Sequence, residues 1–148
     1  MVKRMEKISI QNRIIDSIST LNDFCKYETF TNAQTGSLRL EIEPLSNMGS
    51  ENISVLILND HITVSYDYFE KRFELSSLTL EENIENIKTL IKNILRENLI
   101  AVTTYSININ TSKVSNLYEP SEGRKIFVRD HGAAHLMMTT IKNRLTWR

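Results

Sequence analysis

ISVLILNDHITVSYD, residues 53–67, is the stretch from which the fold is built outward. Two runs of strand-forming residues flank Asn59-Asp60, and a two-residue link of this kind predicts a tight hairpin. In the second arm Ile62, Val64 and Tyr66 point one way, and Thr63, Ser65 and Asp67 the other. The first arm, Ile53 to Leu58, is nearly all apolar. It predicts a strand covered on both faces.

Toward the N-terminus, Asn47 to Asn52 is turn chemistry with Gly49 inside it. Before it Leu38, Leu40 and Ile42 alternate with Arg39, Glu41 and Glu43 until Pro44 stops the run. That pattern predicts a strand with one buried face and one wet, charged face. Residues 25–36 read as a loop closing at Thr35-Gly36. Ile10, Ile14, Ile18 and Leu21 recur at helical spacing, widened by Ile15, and predict a first helix ending near Asn22-Asp23.

Toward the C-terminus, Phe69, Phe73 and Leu75 alternate with Tyr68, Glu70, Arg72 and Glu74. Lys71 shares the Phe69 parity, which predicts a bulge or bend there. Thr79-Leu80-Glu81-Glu82 matches a capping box, in which the Thr79 hydroxyl and Glu82 serve orphan amides. Leu80, Ile84, Ile87, Ile91 and Ile94 then form a stripe, so the spacing predicts a helix over 80–97. Acidic residues fill its first turns and Lys88, Lys92 and Arg96 the later ones, matching the helix dipole. Residues 99–107 and 113–118 read as strands, Pro120 to Gly123 as a turn, and 125–129 as a short strand. The tail 133–147 suits either a helix or a strand. The fold class expected is α+β, a mostly antiparallel sheet with an N-terminal helix and a central helix packed on one face.

One domain of ordinary size accounts for 148 residues. Cys25 is the single cysteine, so neither an internal disulfide nor a cysteine-based metal site is expected, and a reducing, cytoplasmic setting fits. Met1 to Lys7 is basic but leads into no apolar run of the signal-peptide kind. The formal net charge is zero, yet residues 28–100 hold six Lys/Arg against twelve Asp/Glu, while both flanks are basic. A strong nucleic-acid binder is normally basic overall, so direct nucleic-acid binding is disfavoured. An acidic centre instead draws in a basic partner.

Catalytic signals are sparse. His131 and His135 stand four apart, but the place a zinc-protease pattern gives to glutamate beside the first histidine holds Gly132. His61, His131 and His135 with Lys125 or Arg129 contain the parts of an acid–base pair beside a cation, though nothing in their spacing demands one. Lys26 next to Cys25 would lower the thiol pKa slightly; a buried, idle thiol is the plainer reading. No enzyme activity, cofactor or metal is expected. The carboxylates Glu41, Glu43, Asp67, Glu70 and Glu74, with Tyr68, form the expected partner-binding set, because tyrosine is enriched at interface hot spots. The bland alternative is a solvated sheet face.

Residues 54–73, SVLILNDHITVSYDYFEKRF, with the helix that follows, are similar to bacterial immunity proteins. Those proteins protect a cell against polymorphic toxins, including toxins of contact-dependent growth inhibition systems. In them a hairpin of this shape leads to an aromatic-acidic segment, a helix and another strand. Many carry Trp-His where this chain has Tyr68-Phe69. The likeness covers roughly residues 37–107. It implies a cytoplasmic protein that binds a cognate toxin domain, often a basic nuclease, and blocks it. No apolar run approaches the ~18 residues of a membrane span, so no membrane contact is expected, and the charge balance speaks against direct contact to nucleic acid. Two alternatives stay open. The element order is also similar to homodimeric type III secretion chaperones, which bind an extended effector segment. A small enzyme using the His131/His135 region is the other.

Overall fold

The computed structural model describes residues 4–21, 25–45, 52–76, 79–96, 99–106, 113–131 and 137–141. Helix α1 (Arg4–Ile18) runs into a 3-10 turn, Ser19–Leu21. Strands β1 (Cys25–Thr31), β2 (Leu38–Pro44), β3 (Ile53–Ile57), β4 (His61–Tyr66) and β5 (Phe69–Glu74) follow. Helix α2 (Leu80–Leu95), strands β6 (Ile100–Ser106) and β7 (Lys113–Tyr118), helix α3 (Pro120–His131) and strand β8 (Met137–Ile141) complete the order. The chain is α+β, with an N-terminal and a central helix against an antiparallel sheet.

The five strands β1 to β5 form an antiparallel meander in sequence order. Residues with alternate parity line its two faces. Leu40, Ile42, Ile53, Val55, Ile57, Ile62, Val64 and Tyr66 are buried on one face, against Ile10, Ile14 and Ile18 of α1 and Ile84, Ile87, Ile91 and Ile94 of α2. The predicted helical stripes are thus the surfaces that cover the sheet. Arg13 of α1 holds Glu81 of α2 with two hydrogen bonds, 2.6 and 3.0 Å, outside this core. The second sheet has the order β7-β6-β8, with α3 packed on it. Ala101 of β6 joins the main core, and Leu117 of β7 packs against it.

Several local expectations are corrected. Residues 25–31, read as loop, form β1, paired with β2 over seven positions. An edge strand draws its stability from the ladder and needs no apolar face; all of 26–31 is exposed. Only the segment after it turns, with Gly36 at φ +72°. Pro120 opens α3 instead of making a turn, since its fixed φ and missing N–H suit a first helical position. Gly123 and residues 125–129 belong to that helix. Tail residues 137–141 are a strand, paired with β6; residues 133–136 and 142–147 of that tail lie outside the described ones.

Lys71 sits in unbroken register opposite Val64, so β5 has no bulge there. It occupies the helix-side parity of an edge strand and stays exposed, its ammonium 5.1 Å from the Phe73 ring centre. The strand 53–57 is fully buried on one face only; Ser54 and Leu56 are half-buried on the other. The hairpin at Asn59-Asp60 forms as predicted, with the Leu58 N–H donating to the His61 carbonyl at 2.9 Å. At α2 the Thr79 side chain caps no backbone amide. Its hydroxyl instead stands 2.8 Å from the Ser76 hydroxyl, and Asn83 Nδ2 donates to the Glu74 carbonyl at 2.5 Å.

Candidate interaction face

The face of the five-stranded sheet opposite the two helices is built by the other parity of each strand. One row across it reads Glu28, Glu41, Ser54, Ser65, Glu70. The next reads Phe30, Arg39, Leu56, Thr63, Arg72. Lys26 lies opposite Glu43 at one end, and His61 opposite Glu74 at the other. Small hydroxyl residues thus fill the middle of the acidic row, and carboxylates stand at both sides.

Some of these charges are already matched. Arg72 Nε donates to Glu74 at 2.6 Å, which raises the guanidinium pKa further. Arg39 Nε lies 3.5 Å from Glu41, and its guanidinium carbon 4.6 Å from the Phe30 ring centre. The Ser54 hydroxyl donates to Glu41 at 2.8 Å. His61 Nδ1 is 2.7 Å from Asp60, and this hydrogen bond holds the Asp60 carboxyl below its usual range. Among the described residues, Glu28, Glu43 and Glu70 have no cation within 4.0 Å.

Between β1 and β2 the face carries a depression of about 310 Å³, lined by Lys26, Glu28, Phe30, Arg39, Glu41 and Glu43 among others. An exposed aromatic ring set among carboxylates suits a basic side chain arriving from another molecule.

Of the residues singled out from sequence, Glu41, Glu43, Glu70 and Glu74 do share this face. They form two groups rather than one. The strands β2 and β5 are separated by β3 and β4, so about 14 Å of sheet lies between them at the usual strand spacing. Asp67 and Tyr68 lie off the face, in the turn between β4 and β5. Asp67 adopts φ +56°. The Tyr68 backbone N–H donates to Ser115 Oγ of β7 at 3.2 Å, and the Tyr68 side chain is exposed. Tyr66, on the parity of Ile62 and Val64, points into the core. Lys26, Glu28 and Phe30 were hidden in the segment read as loop. The available signal was the alternation of Tyr27, Thr29 and Thr31 with Lys26, Glu28 and Phe30.

The other chemical candidates fall elsewhere. Cys25 is buried, its thiol facing the Leu21 carbonyl at 3.7 Å, and burial pushes its pKa up rather than down. His131 closes α3, while His135 lies outside the described residues. Among the described residues no three His, Cys, Asp or Glu side chains gather as a metal-binding group. No helix among them is long and apolar enough to cross a membrane. No family model matches the chain, and neither a curated protein nor a solved structure does.

Proposed function

We propose that this chain is an immunity protein that neutralises a cognate bacterial toxin domain by stoichiometric occlusion in the cytoplasm, without catalysis of its own. The supporting observation is the open sheet face, where five carboxylates outnumber Lys26, Arg39 and Arg72 and three of them lack a cation partner among the described residues. A rigid, acidic surface backed by a packed core suits a basic partner such as a nuclease domain. Negative charge speeds the encounter, and desolvated ion pairs then slow release. The resemblance over residues 54–73 supplies the kind of partner.

The test is binding to the toxin domain encoded beside this gene. Purified chain should form an equimolar complex with it and abolish its activity. Glu43→Lys with Glu70→Lys should weaken the complex at least tenfold, since truncated or reversed interfacial charges cost about 2–5 kcal/mol. Glu41→Lys with Glu43→Lys probes the β2 side alone. Unchanged affinity in both variants would reject this face, and turnover of a substrate by the chain alone would reject the reading itself.

A further inference from the structure

The two edges of the five-stranded sheet are not alike. On β5 the helix-side parity carries the exposed ammonium of Lys71, and β7 lies close by, tied through Ser115 to the Tyr68 N–H. An inward-parity charge and a covering element are both devices that prevent an edge from pairing. On β1 the helix-side positions are Cys25, Tyr27, Thr29 and Thr31, none charged, and no strand among the described residues pairs with the outer side. Tyr27 is 47 % exposed there.

Backbone direction follows from the hairpin. The Asn32 N–H donates to the Ser37 carbonyl at 2.9 Å, next to the Thr31–Leu38 pair. Hydrogen-bonded pairs alternate along an antiparallel ladder. Phe30, Glu28 and Lys26 are therefore bonded to β2, and the N–H and C=O groups of Tyr27, Thr29 and Thr31 point outward.

We propose that β1 is a self-association edge: a second copy of this chain pairs with it antiparallel, about a twofold axis at Tyr27, to give one continuous ten-stranded sheet. Charge selects that register among those keeping the helices on one side. Centred on Tyr27, each Lys26 faces the other copy's Glu28 on the open face, in a non-hydrogen-bonded pair where side chains are closest. The two Tyr27 rings meet on the helix side. Centred on Glu28, two carboxylates would face each other; centred on Lys26, two ammonium groups; centred on Thr29, Glu28 would face Phe30. The outward N–H and C=O groups of Tyr27 and Thr29 serve the Tyr27-centred register.

Within β1 (Cys25–Thr31) the Tyr27-centred joint pairs only residues 25–29, and so short a joint buries less than the 1,200–2,000 Å² or so of an ordinary stable interface. The dimer is accordingly weak and concentration-dependent, unlike the permanent homodimer of a secretion chaperone. It sets two open faces side by side and does not rest on the immunity reading.

Sedimentation velocity over a concentration series tests it. Wild-type protein should pass from monomer to dimer as concentration rises. Lys26→Glu and Glu28→Lys should each weaken the dimer about tenfold or more, since two attractive pairs become two repulsive ones. The double variant K26E/E28K should restore it. Circular dichroism checks that each variant, altered only at exposed positions, keeps its fold. A wild-type chain that stays monomeric at millimolar concentration overturns the proposal. So does a dimer whose affinity ignores the single reversals, or one that the double reversal does not rescue.

Discussion

Ser115 Oγ stands 3.3 Å from Asp67 Oδ2, joining β7 to the β4–β5 turn across 48 positions of sequence. The same hydroxyl accepts the Tyr68 N–H, and Ser115 is 2 % exposed. This clasp is where the second sheet meets the edge of the first. Ser115→Ala should lower unfolding free energy by about 1–3 kcal/mol, because a buried bonded group leaves its partners unserved. Asp67 carries a further constraint. Its φ of +56° disfavours a plain side chain by roughly 1–2 kcal/mol. Asp67→Ala should therefore destabilise more than Asp67→Asn, which tolerates that conformation. Urea unfolding of the three variants gives the order.

Under α1, two polar side chains are buried with unequal success. Lys7 is 3 % exposed and donates to Asn59 Oδ1 at 2.7 Å, tying the helix to the β3–β4 turn. Gln11, one turn further on, buries its Nε2 without a hydrogen-bond partner among the described residues. A buried orphan donor costs about 1–3 kcal/mol, and an apolar side chain of similar shape removes that penalty. Gln11→Met should thus raise the unfolding midpoint. Asn59→Ala should lower it, since it strips the Lys7 ammonium of its acceptor. Thermal melts at fixed pH measure both shifts, and a destabilised Gln11→Met would contradict the orphan.

The Arg13–Glu81 pair makes stability depend on acid. Its two hydrogen bonds hold the Glu81 carboxyl below the ordinary value of 4.5. Protons therefore bind the unfolded chain first as pH falls. The pair's contribution is complete above that ordinary value and is lost as pH drops through the lowered native one. Unfolding free energies from urea titrations should show wild type above Glu81→Gln at pH 7. The gap should close as the solution is acidified. A gap that is constant down to pH 2 would mean that the pair does not titrate with folding.

Long-range pattern was more legible than local chemistry. The stripes of α1 and α2 and the alternation of β2 and β4 report burial directly, because each points at a packed neighbour. β1 was only faintly marked for the opposite reason. Its helix-side positions Tyr27, Thr29 and Thr31 lie at the rim of the sheet and stay exposed, so no apolar alternation marks it. Lys71 misled for a related reason: an edge strand can keep a charge on its inner parity without bulging. On the candidate face, parity grouped Glu41 with Glu43 and Glu70 with Glu74. Parity carries no information on strand order, and the order β1-β2-β3-β4-β5 sets the two pairs apart. Asp67 and Tyr68 left the face because a turn follows different geometry from a strand.

The start of α2 separates sequence motif from actual contact. A capping box would make Glu82 a stabilising residue, reaching back to an amide. In the structure Glu82 is exposed, and Thr79 makes no side-chain bond to the helix amides. The work is done by Asn83, whose Nδ2 donates to the Glu74 carbonyl at 2.5 Å and approaches the Thr79 hydroxyl at 3.4 Å. Its own N–H donates to the Thr79 carbonyl at 2.8 Å. The side chain thus fastens the end of β5 to the first turn of the helix. Asn83→Ala should cost about 1 kcal/mol, the usual net worth of such a bond. Glu82→Ala should leave the denaturation midpoint within about 0.5 kcal/mol of wild type, as for other exposed substitutions. If the two effects come out reversed, the capping box forms in solution and the Asn83 bridge does not.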